Sequence, residues 1–175
     1  IALDTITDPT ILALLPNGDA LMAIRGAQLG MKVACVEKES ALGGTCVRVG
    51  CIPSKALLDS TELFDQIRHK SALHGISVDE PKIDVAKMHA RKDAVVKANT
   101  DGVAFLFKKN KIEWVRGFGR LASPETVEVQ GEGGARTLRA KTIILASGSV
   151  PVELPFLRYD HERIIDSTGA LTIPE

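Results

Sequence analysis

The sequence predicts an α/β fold in which a parallel sheet carries a small antiparallel β-meander. Met31 to Val36 and Lys141 to Ala146 are nearly continuous apolar runs, which is typical of buried strands covered on both faces. Asp19 to Leu29 repeats its apolar residues at three- and four-residue spacings, which predicts a helix ahead of the strand at Met31 to Val36. Short strand-like runs separated by turns begin at Ile112 and indicate the meander.

The start of the chain, residues 1 to 18, is polar and interrupted by proline. Ile11 to Leu15 is its strand-like run, and Asp8-Pro9 and Pro16-Asn17-Gly18 are turn signals. The helix that follows should end at Gly30, because glycine readily adopts the left-handed conformation of a helix C-cap.

Two further helices are predicted, from Ala56 to Lys70 and from a capping Asp84 to Lys109, with a short extended piece at Gly75 to Val78 between them. The meander strands are expected at Ile112 to Val115, Phe118 to Leu121, Thr126 to Val129 and Thr137 to Leu138, with a glycine-rich turn at Gly131 to Gly134. Cys35 lies inside the first buried strand and is expected to be a small core residue.

Composition excludes several classes of function. A chain of 175 residues can form one good core, and its apolar and charged fractions are those of a globular protein. The 22 basic and 22 acidic residues balance, so charge indicates neither a nucleic-acid partner nor a membrane partner. No apolar run is long enough to span a bilayer, and the polar surroundings of His69 and His74 indicate no metal site.

Two cysteines, Cys46 and Cys51, form the most informative pattern. A zinc site would need a second pair of ligands, and only Cys35 remains, so a redox disulfide is favoured over a metal site. In an ideal helix, residues five apart have Cα atoms about 8.5 Å apart, whereas a disulfide needs less than about 7 Å. The helix should therefore be distorted there, and Gly50 and Pro53 permit this.

Such a bridge should be easily reduced, because a disulfide in a distorted first turn is less stable than a relaxed one. The N-terminus of a helix also favours the thiolate. The alternative is an ordinary stabilising disulfide of a secreted domain, which three cysteines and the lack of a signal-peptide pattern disfavour.

The segment Gly-Gly-Thr-Cys-x-x-x-Gly-Cys-Ile-Pro-Ser-Lys-Ala-Leu-Leu, residues 43 to 58, resembles the active-site segment of the flavin-dependent pyridine nucleotide:disulfide oxidoreductases. Ile52 and Ser54 resemble the dihydrolipoyl dehydrogenases more than the glutathione or mercuric reductases. The similarity extends to four other stretches, which are Val33 to Glu37, Phe105 to Gly119, Ile143 to Ser149 and Ile164 to Thr172.

The resemblance implies a doubly wound parallel sheet of FAD-binding Rossmann type, truncated, with the β-meander inserted. Residues 1 to 175 would be the N-terminal portion of the FAD-binding domain, without nicotinamide-binding and dimerisation domains. The implied cofactors are FAD and NAD, and the implied partners are a second copy of the complete enzyme and the lipoyl domain of a 2-oxo acid dehydrogenase complex. The implied compartment is the cytoplasm, or the mitochondrial matrix in a eukaryote.

The implied catalytic residues are the cysteines: a thiolate of dihydrolipoamide attacks Cys46, and Cys51 leaves as a thiolate against the flavin. The general base of the family lies elsewhere, and His161-Glu162 is not expected to replace it, because adjacent side chains do not face each other. The implied cofactor-binding residues are Glu37, Gly44, Thr45, Lys55, Gly119, Ala146, Ser147 and Gly148.

Three of these residues have a plainer alternative. Glu37 would accept hydrogen bonds from the adenosine ribose, but a glutamate after a strand is often only surface charge. Lys55 would lie beside the flavin ring or be merely solvated, and Gly119 would meet the adenine half or be a turn glycine.

The sequence departs from the family at its glycine loop. The three glycine positions of the Gly-x-Gly-x-x-Gly fingerprint fall on Leu14, Pro16 and Asp19, so the expected phosphate cradle is absent. A shifted reading frame over residues 1 to 18, a naturally divergent subunit, and flavin binding without the motif are the three explanations. Arg48 is a second departure, because the family usually has Asn there; its charge would favour thiolate, whereas its bulk would disturb packing.

Two alternatives to a dihydrolipoyl dehydrogenase stay open at this point. The 175 residues could be a stand-alone, non-catalytic protein, or part of a mercuric or glutathione reductase. A doubly wound sheet with an open flank should also aggregate, so we expect low solubility for this chain expressed alone.

Overall fold

A computed structural model describes residues 11–14 and 20–173, with backbone only for the first of these ranges. The helices are α1 (Ala20–Gln28), α2 (Gly44–Val49), α3 (Cys51–His69) and α4 (Val85–Lys109), with 3₁₀ helices at Ser71–His74 and Gly169–Thr172. The strands are β1 (Ile11–Leu14), β2 (Val33–Glu37), β3 (Glu113–Arg116), β4 (Phe118–Ser123), β5 (Thr126–Gly131), β6 (Gly134–Arg139) and β7 (Ile143–Leu145).

The chain divides into two compact units. One contains the described residues up to Arg48 together with Asn99–Val150, and the other contains Val49–Ala98 together with the described residues from Pro151 onward. The seven strands of the described residues all lie in the first unit.

The parallel sheet of the first unit has the strand order β3-β2-β1-β7. Leu14 of β1 is in register with Val36 of β2 on one side and with Leu145 of β7 on the other. The strand order therefore reverses direction at β1, and all four carboxyl ends lie along one edge of the sheet. The predicted doubly wound α/β fold is confirmed, and ligands of such sheets bind beyond this edge.

The meander is an antiparallel sheet of order β4-β5-β6, and its predicted glycine turn is confirmed by the pairing of Gly131 with Gly134. One expectation was wrong, because Ile112 to Val115 does not belong to the meander. Trp114 and Val115 pair in parallel with β2, so this run forms the edge of the main sheet as β3. A four-residue strand-like run has the same appearance in both contexts, and only its partner strand distinguishes them.

Two other expectations need correction. Gly75 to Val78 forms no strand, and Gly75 instead ends a 3₁₀ helix in the left-handed conformation with φ 73°. The strand expected from Lys141 to Ala146 is shorter, Ile143–Leu145, and is not fully buried, since Leu145 is 61% exposed. Apolar composition alone did not reveal that β7 lies at the end of the described sheet, with β1 as its partner.

The core of the first unit explains why β2 is apolar throughout. Ala34 and Val36 pack on one side with residues of β3 and the meander, such as Val115, Val127 and Leu138. Val33 and Cys35 pack on the other side with residues of α1 and the end of α4, namely Ala23, Ile24 and Phe107. Because both faces of β2 are covered, alternation of polar and apolar residues is absent.

In the second unit, two side chains of α4 donate hydrogen bonds to other segments. Arg91 donates to the carbonyl oxygen of Ala56 on α3 at 2.8 Å, and Lys92, which is buried, donates to the carbonyl oxygen of Leu171 at 3.0 Å. The predicted N-cap of α4 is confirmed, because the backbone N–H of Lys87 donates to Asp84 Oδ1 at 2.9 Å.

Candidate active site

The helix is interrupted between the two cysteines of the motif. α2 ends at Val49, Gly50 adopts φ −139° and ψ −116°, and α3 begins at Cys51. The Ser54 hydroxyl then donates to the Gly50 carbonyl oxygen at 2.7 Å and supports the first turn of α3. The expected distortion of the helix is therefore confirmed, and it lies at the glycine.

Cys46 and Cys51 are joined in a disulfide, and both residues are exposed. The other cysteine, Cys35, is a fully buried thiol, and burial raises its pKa above the ordinary value. A thiol with a raised pKa remains protonated and is a poor nucleophile. The disulfide thus joins two exposed residues, and Cys35 is the core residue that the sequence predicts.

A tight glycine turn leads into α2. Gly43 and Gly44 have φ values of 121° and 63°, in the left-handed region that side chains disfavour. A Cβ atom placed on Gly43 would lie 2.8 Å from Cβ of Val47, one turn into the helix. The two glycines therefore let the turn pass close to α2. They fix the residue at which α2 begins, and so the position of Cys46 on that helix.

Glu37 is the last residue of β2, and only 1% of it is exposed. Its Oε1 accepts a hydrogen bond from the backbone N–H of Glu39 at 2.9 Å, and its carbonyl oxygen accepts one from Gly117 at 3.0 Å. Burial is the main reason that the pKa of Glu37 is raised, and the nearby positive charge of Arg48 acts in the opposite direction. The alternative of a plain surface charge is therefore wrong.

The sequence did not predict the ion pair that Arg48 forms. Its guanidinium donates to Glu39 Oε2 at 2.9 Å, and 18% of the arginine side chain is exposed. The only available signal was opposite charge nine residues apart, and nothing in the spacing required the two groups to meet. Arg48 therefore lies beside the loop after β2, where its charge neutralises the Glu39 carboxylate.

Gly117 was also missed, although it lies two residues before a glycine that the sequence singled out. Its φ is 147°, and a Cβ atom there would lie 2.6 Å from the Gln130 carbonyl oxygen. Gly119 itself lies within β4 and pairs with Val129, so its alternative as a turn glycine is wrong.

Apart from Gly119, which lies within β4, the predicted cofactor-binding residues fall into three groups. Ala146, Ser147 and Gly148 directly follow β7, so they lie at the same edge of the sheet as Glu37, about 10 Å away at two strand spacings. Gly44 is buried at the start of α2 with Thr45 half-buried beside it, and Gly148 adopts the left-handed φ of 70°.

Lys55 is the third group. It lies on the first turns of α3 in the second unit, as Cys51 does, and the side chain of Lys55 is exposed. Of the glycine-loop positions, Pro16 and Asp19 lie outside the described residues. Within residues 11–14 and 20–173, no three acidic, histidine or cysteine residues could share a metal ion. No helix of that part of the chain combines the length and apolar character needed to cross a membrane.

The sequence matches a family model described as pyridine nucleotide-disulphide oxidoreductase over residues 20–174. Dihydrolipoyl dehydrogenase 3 of Pseudomonas putida is 49% identical over 155 residues, which are 87% of this chain and 33% of the relative. The mitochondrial dihydrolipoyl dehydrogenase 1 of Arabidopsis thaliana is 46% identical over 90% of this chain and 31% of its own. The chain thus spans about a third of the length of these curated relatives.

Solved structures agree on the fold. The Cu(II) complex of RclA, an HOCl-induced flavoprotein disulfide reductase of Escherichia coli, matches with a TM-score of 0.79 and 21% identity, over 97% of this chain and 35% of RclA. LpdA of Mycobacterium tuberculosis matches with a TM-score of 0.77 and 22% identity, over 95% of this chain and 38% of LpdA. With the family model covering residues 20–174, the chain belongs to the pyridine nucleotide-disulphide oxidoreductase family.

Proposed function

We propose that this chain carries the dithiol centre of a flavin-dependent dihydrolipoyl dehydrogenase, which oxidises protein-bound dihydrolipoamide with NAD as electron acceptor. The observation that carries the proposal is the exposed Cys46–Cys51 disulfide across the break between α2 and α3. The identity of 49% and 46% to two dihydrolipoyl dehydrogenases favours this substrate class over glutathione or mercury.

The chemistry at the cysteines follows from where each lies on its helix. A thiolate of the dihydrolipoyl group attacks Cys46 Sγ, so that a mixed disulfide forms and the Cys46–Cys51 bond breaks. Cys51 leaves as a thiolate at the N-terminus of α3, a helix of 19 residues. The positive end of the helix dipole stabilises that thiolate, and a better leaving group leaves faster.

A second exchange completes the oxidation of the substrate. The remaining thiol of the same dihydrolipoyl group attacks its own mixed disulfide, closes the lipoyl ring and releases Cys46 as a thiolate. Two electrons pass from the substrate to the cysteine pair, and the protons of the two substrate thiols go to solvent or to the cysteines. FAD, when bound, supplies the redox chemistry that returns the pair to the disulfide, with NAD as the final acceptor.

The residues at the carboxyl edge of the sheet fit the ribose end of FAD. An ionised Glu37 only accepts hydrogen bonds, and a carboxylate at the end of the second strand of such a sheet suits the two hydroxyls of a ribose. Gly44, Thr45, Lys55 and Gly119 are proposed as further FAD contacts, together with Ala146, Ser147 and Gly148. Because the positions of the family's glycines are Leu14, Pro16 and Asp19 in this chain, the contacts named above would have to hold FAD without the usual phosphate cradle.

The partners follow from the proposed substrate. We propose that the complete enzyme is a homodimer that accepts the lipoyl domain of a 2-oxo acid dehydrogenase complex. The relatives come from a bacterium and from mitochondria, so the proposed compartment is the cytoplasm or the mitochondrial matrix.

A visible absorption spectrum tests the proposal. The purified chain is mixed with FAD, passed through a desalting column, and then treated with dihydrolipoamide without oxygen. We expect a yellow protein whose flavin band changes on addition of the dithiol, and no such change when Cys46 and Cys51 are both replaced by serine. A colourless protein would overturn flavin binding by this chain, and an identical response of the serine variant would overturn the role of the cysteines.

A further inference from the structure

Arg48 connects the helix that carries Cys46 to the loop that follows β2. Its guanidinium donates to Glu39 Oε2 at 2.9 Å, and the backbone N–H of the same Glu39 donates to Glu37 Oε1 at 2.9 Å. One residue, Glu39, therefore contacts the arginine through its side chain and the buried carboxylate through its backbone. Fixing the side chain of Glu39 also restricts its backbone N–H.

The pair with Glu39 is better placed than other contacts nearby to restrain this loop. Lys38 also approaches the Glu39 carboxylate, but at 3.8 Å and with 47% of its side chain exposed. Arg48 is closer and less exposed, so its pair loses less to solvent screening. Charge-assisted hydrogen bonds of arginine to carboxylate are also among the stronger ones in proteins.

The same geometry argues against a direct effect of Arg48 on the thiols. Arg48 and Cys46 are two residues apart on α2, and side chains at that spacing do not face each other on a helix. The charge of the guanidinium is also engaged by Glu39. Thiolate stabilisation, one of the two effects considered for this arginine from the sequence, is therefore less favoured than a role at the end of β2.

We propose that Arg48 is a positioning residue for Glu37: through Glu39 it holds the Glu37 carboxylate in place at the carboxyl end of β2. The inference rests on the proposed function only in assigning the cofactor ribose to Glu37. Its consequence is that α2, which carries one cysteine of the disulfide, and the ribose carboxylate are joined by two consecutive hydrogen bonds.

The charges around Glu37 support this assignment. The positive charge of Arg48 lowers the pKa of Glu37, while burial and the charge of Glu39 raise it. On β2 and on the neighbouring strand β3, the other ionisable groups are Arg116, which is in register with Glu37, Glu113, which pairs with Arg136 at 3.0 Å, and the buried thiol of Cys35. The Arg116 guanidinium lies over the Trp114 ring, at 4.2 Å from its centroid.

The test compares Arg48→Met, which removes the charge, with Arg48→Lys, which keeps it. Arg120→Met is the matched control, because Arg120 forms an exposed pair with Glu128 at 2.6 Å in the meander. The Glu37 carboxyl is titrated by carbon NMR in the full chain, with Glu37→Gln to assign its signal. We expect the pKa of the Glu37 carboxyl to be higher in Arg48→Met than in the unsubstituted chain. In Arg48→Lys and in Arg120→Met, that pKa should stay closer to its value in the unsubstituted chain.

Binding of FAD is the second readout, and separates this inference from the proposed function. Loss of one partly exposed ion pair worth about 1 kcal/mol should weaken FAD binding about fivefold in Arg48→Met. An unchanged Glu37 titration in Arg48→Met would overturn the inference. If Glu37→Gln does not affect FAD binding, the ribose assignment fails, and the titration of Glu37 in Arg48→Met still decides whether Arg48 acts on the Glu37 carboxyl.

Discussion

Glu37 is a carboxyl group buried at the end of the central strand β2, and its burial has a thermodynamic cost. The backbone N–H of Glu39 and the charge of Arg48 offset part of this cost, but the pKa of Glu37 remains above its ordinary value. Buried ionisable residues with a shifted pKa are common at binding and catalytic sites, so this cost is consistent with the ribose contact proposed for Glu37.

The raised pKa of Glu37 predicts a specific dependence of stability on pH. The folded chain keeps the proton at pH values where the unfolded chain, with a glutamate pKa of about 4.3, has lost it. Stability contributed by this proton is complete below that value and is lost as the pH rises through the folded pKa. Urea unfolding between pH 4 and pH 8 should show this decline, and Glu37→Gln should lack it. Equal pH slopes in the two proteins would contradict the shift.

Gly43 offers a second test at the scale of one residue. Replacement by alanine should destabilise the chain by about 1 to 3 kcal/mol, because a Cβ atom would strain the left-handed φ of 121° and approach Val47. Gly133→Ala is the control, since a Cβ there meets nothing within 4 Å. Urea unfolding of both variants measures the difference. If both variants unfold alike, the glycine turn does not fix the start of α2.

At the scale of elements, the sequence predicted those features that depend on local chemistry. The break between Cys46 and Cys51, the cap at Asp84 and the turn between Gly131 and Gly134 all follow from the conformational preferences of a few neighbouring residues. Partners distant in sequence could not be predicted in this way. The ion pair of Arg48 with Glu39 depends on where the loop after β2 lies, and one sequence does not contain that information.

The pairing partners of the strands could also not be predicted from the sequence. The run at Ile112 to Val115 was expected in the meander and proved to be the edge of the parallel sheet, because strand propensity does not specify a partner. Gly117 was missed for a related reason: its left-handed backbone matters because β5 passes close to it. Contacts between strands decide both features.

The long helix α4 provides a prediction at this scale. Gly102 lies in its interior, is exposed, and a Cβ there would meet nothing within 4 Å. Gly102→Ala should therefore stabilise the chain by about 0.4 to 1 kcal/mol, because alanine loses less backbone entropy in a helix. Thermal or urea unfolding measures the change. Destabilisation by this substitution would mean that the helix needs a small residue there for a contact.

At the scale of the whole molecule, the two units differ in their apolar cores. Both clusters of buried apolar residues among the described residues belong to the unit that contains the sheets. Large exposed apolar side chains occur in both units, for example Leu21 in the first and Leu73 and Phe156 in the second. This exposure is consistent with the low solubility expected for the chain expressed alone, which stays a prediction.

Hydrogen exchange should reveal this difference between the units. Backbone amides of β2 pair with strands on both sides and lie in the core, so we expect them to exchange most slowly. Amides of residues 77–83, which belong to no helix or strand, should exchange fastest. Mass spectrometry of peptides after exchange in deuterated water measures both. Similar protection of the two segments would contradict the division into a well-packed and a loosely packed unit.

The most direct test of the redox role is to count reactive thiols in the folded chain before and after treatment with a dithiol. The chain is exposed to dihydrolipoamide under native conditions, alkylated, and analysed by peptide mass spectrometry. We expect alkylation at Cys46 and Cys51 only after reduction, while the buried Cys35 stays unlabelled until the protein is unfolded. A disulfide that persists until denaturant is added would contradict a cycling dithiol and leave the bridge with a structural role.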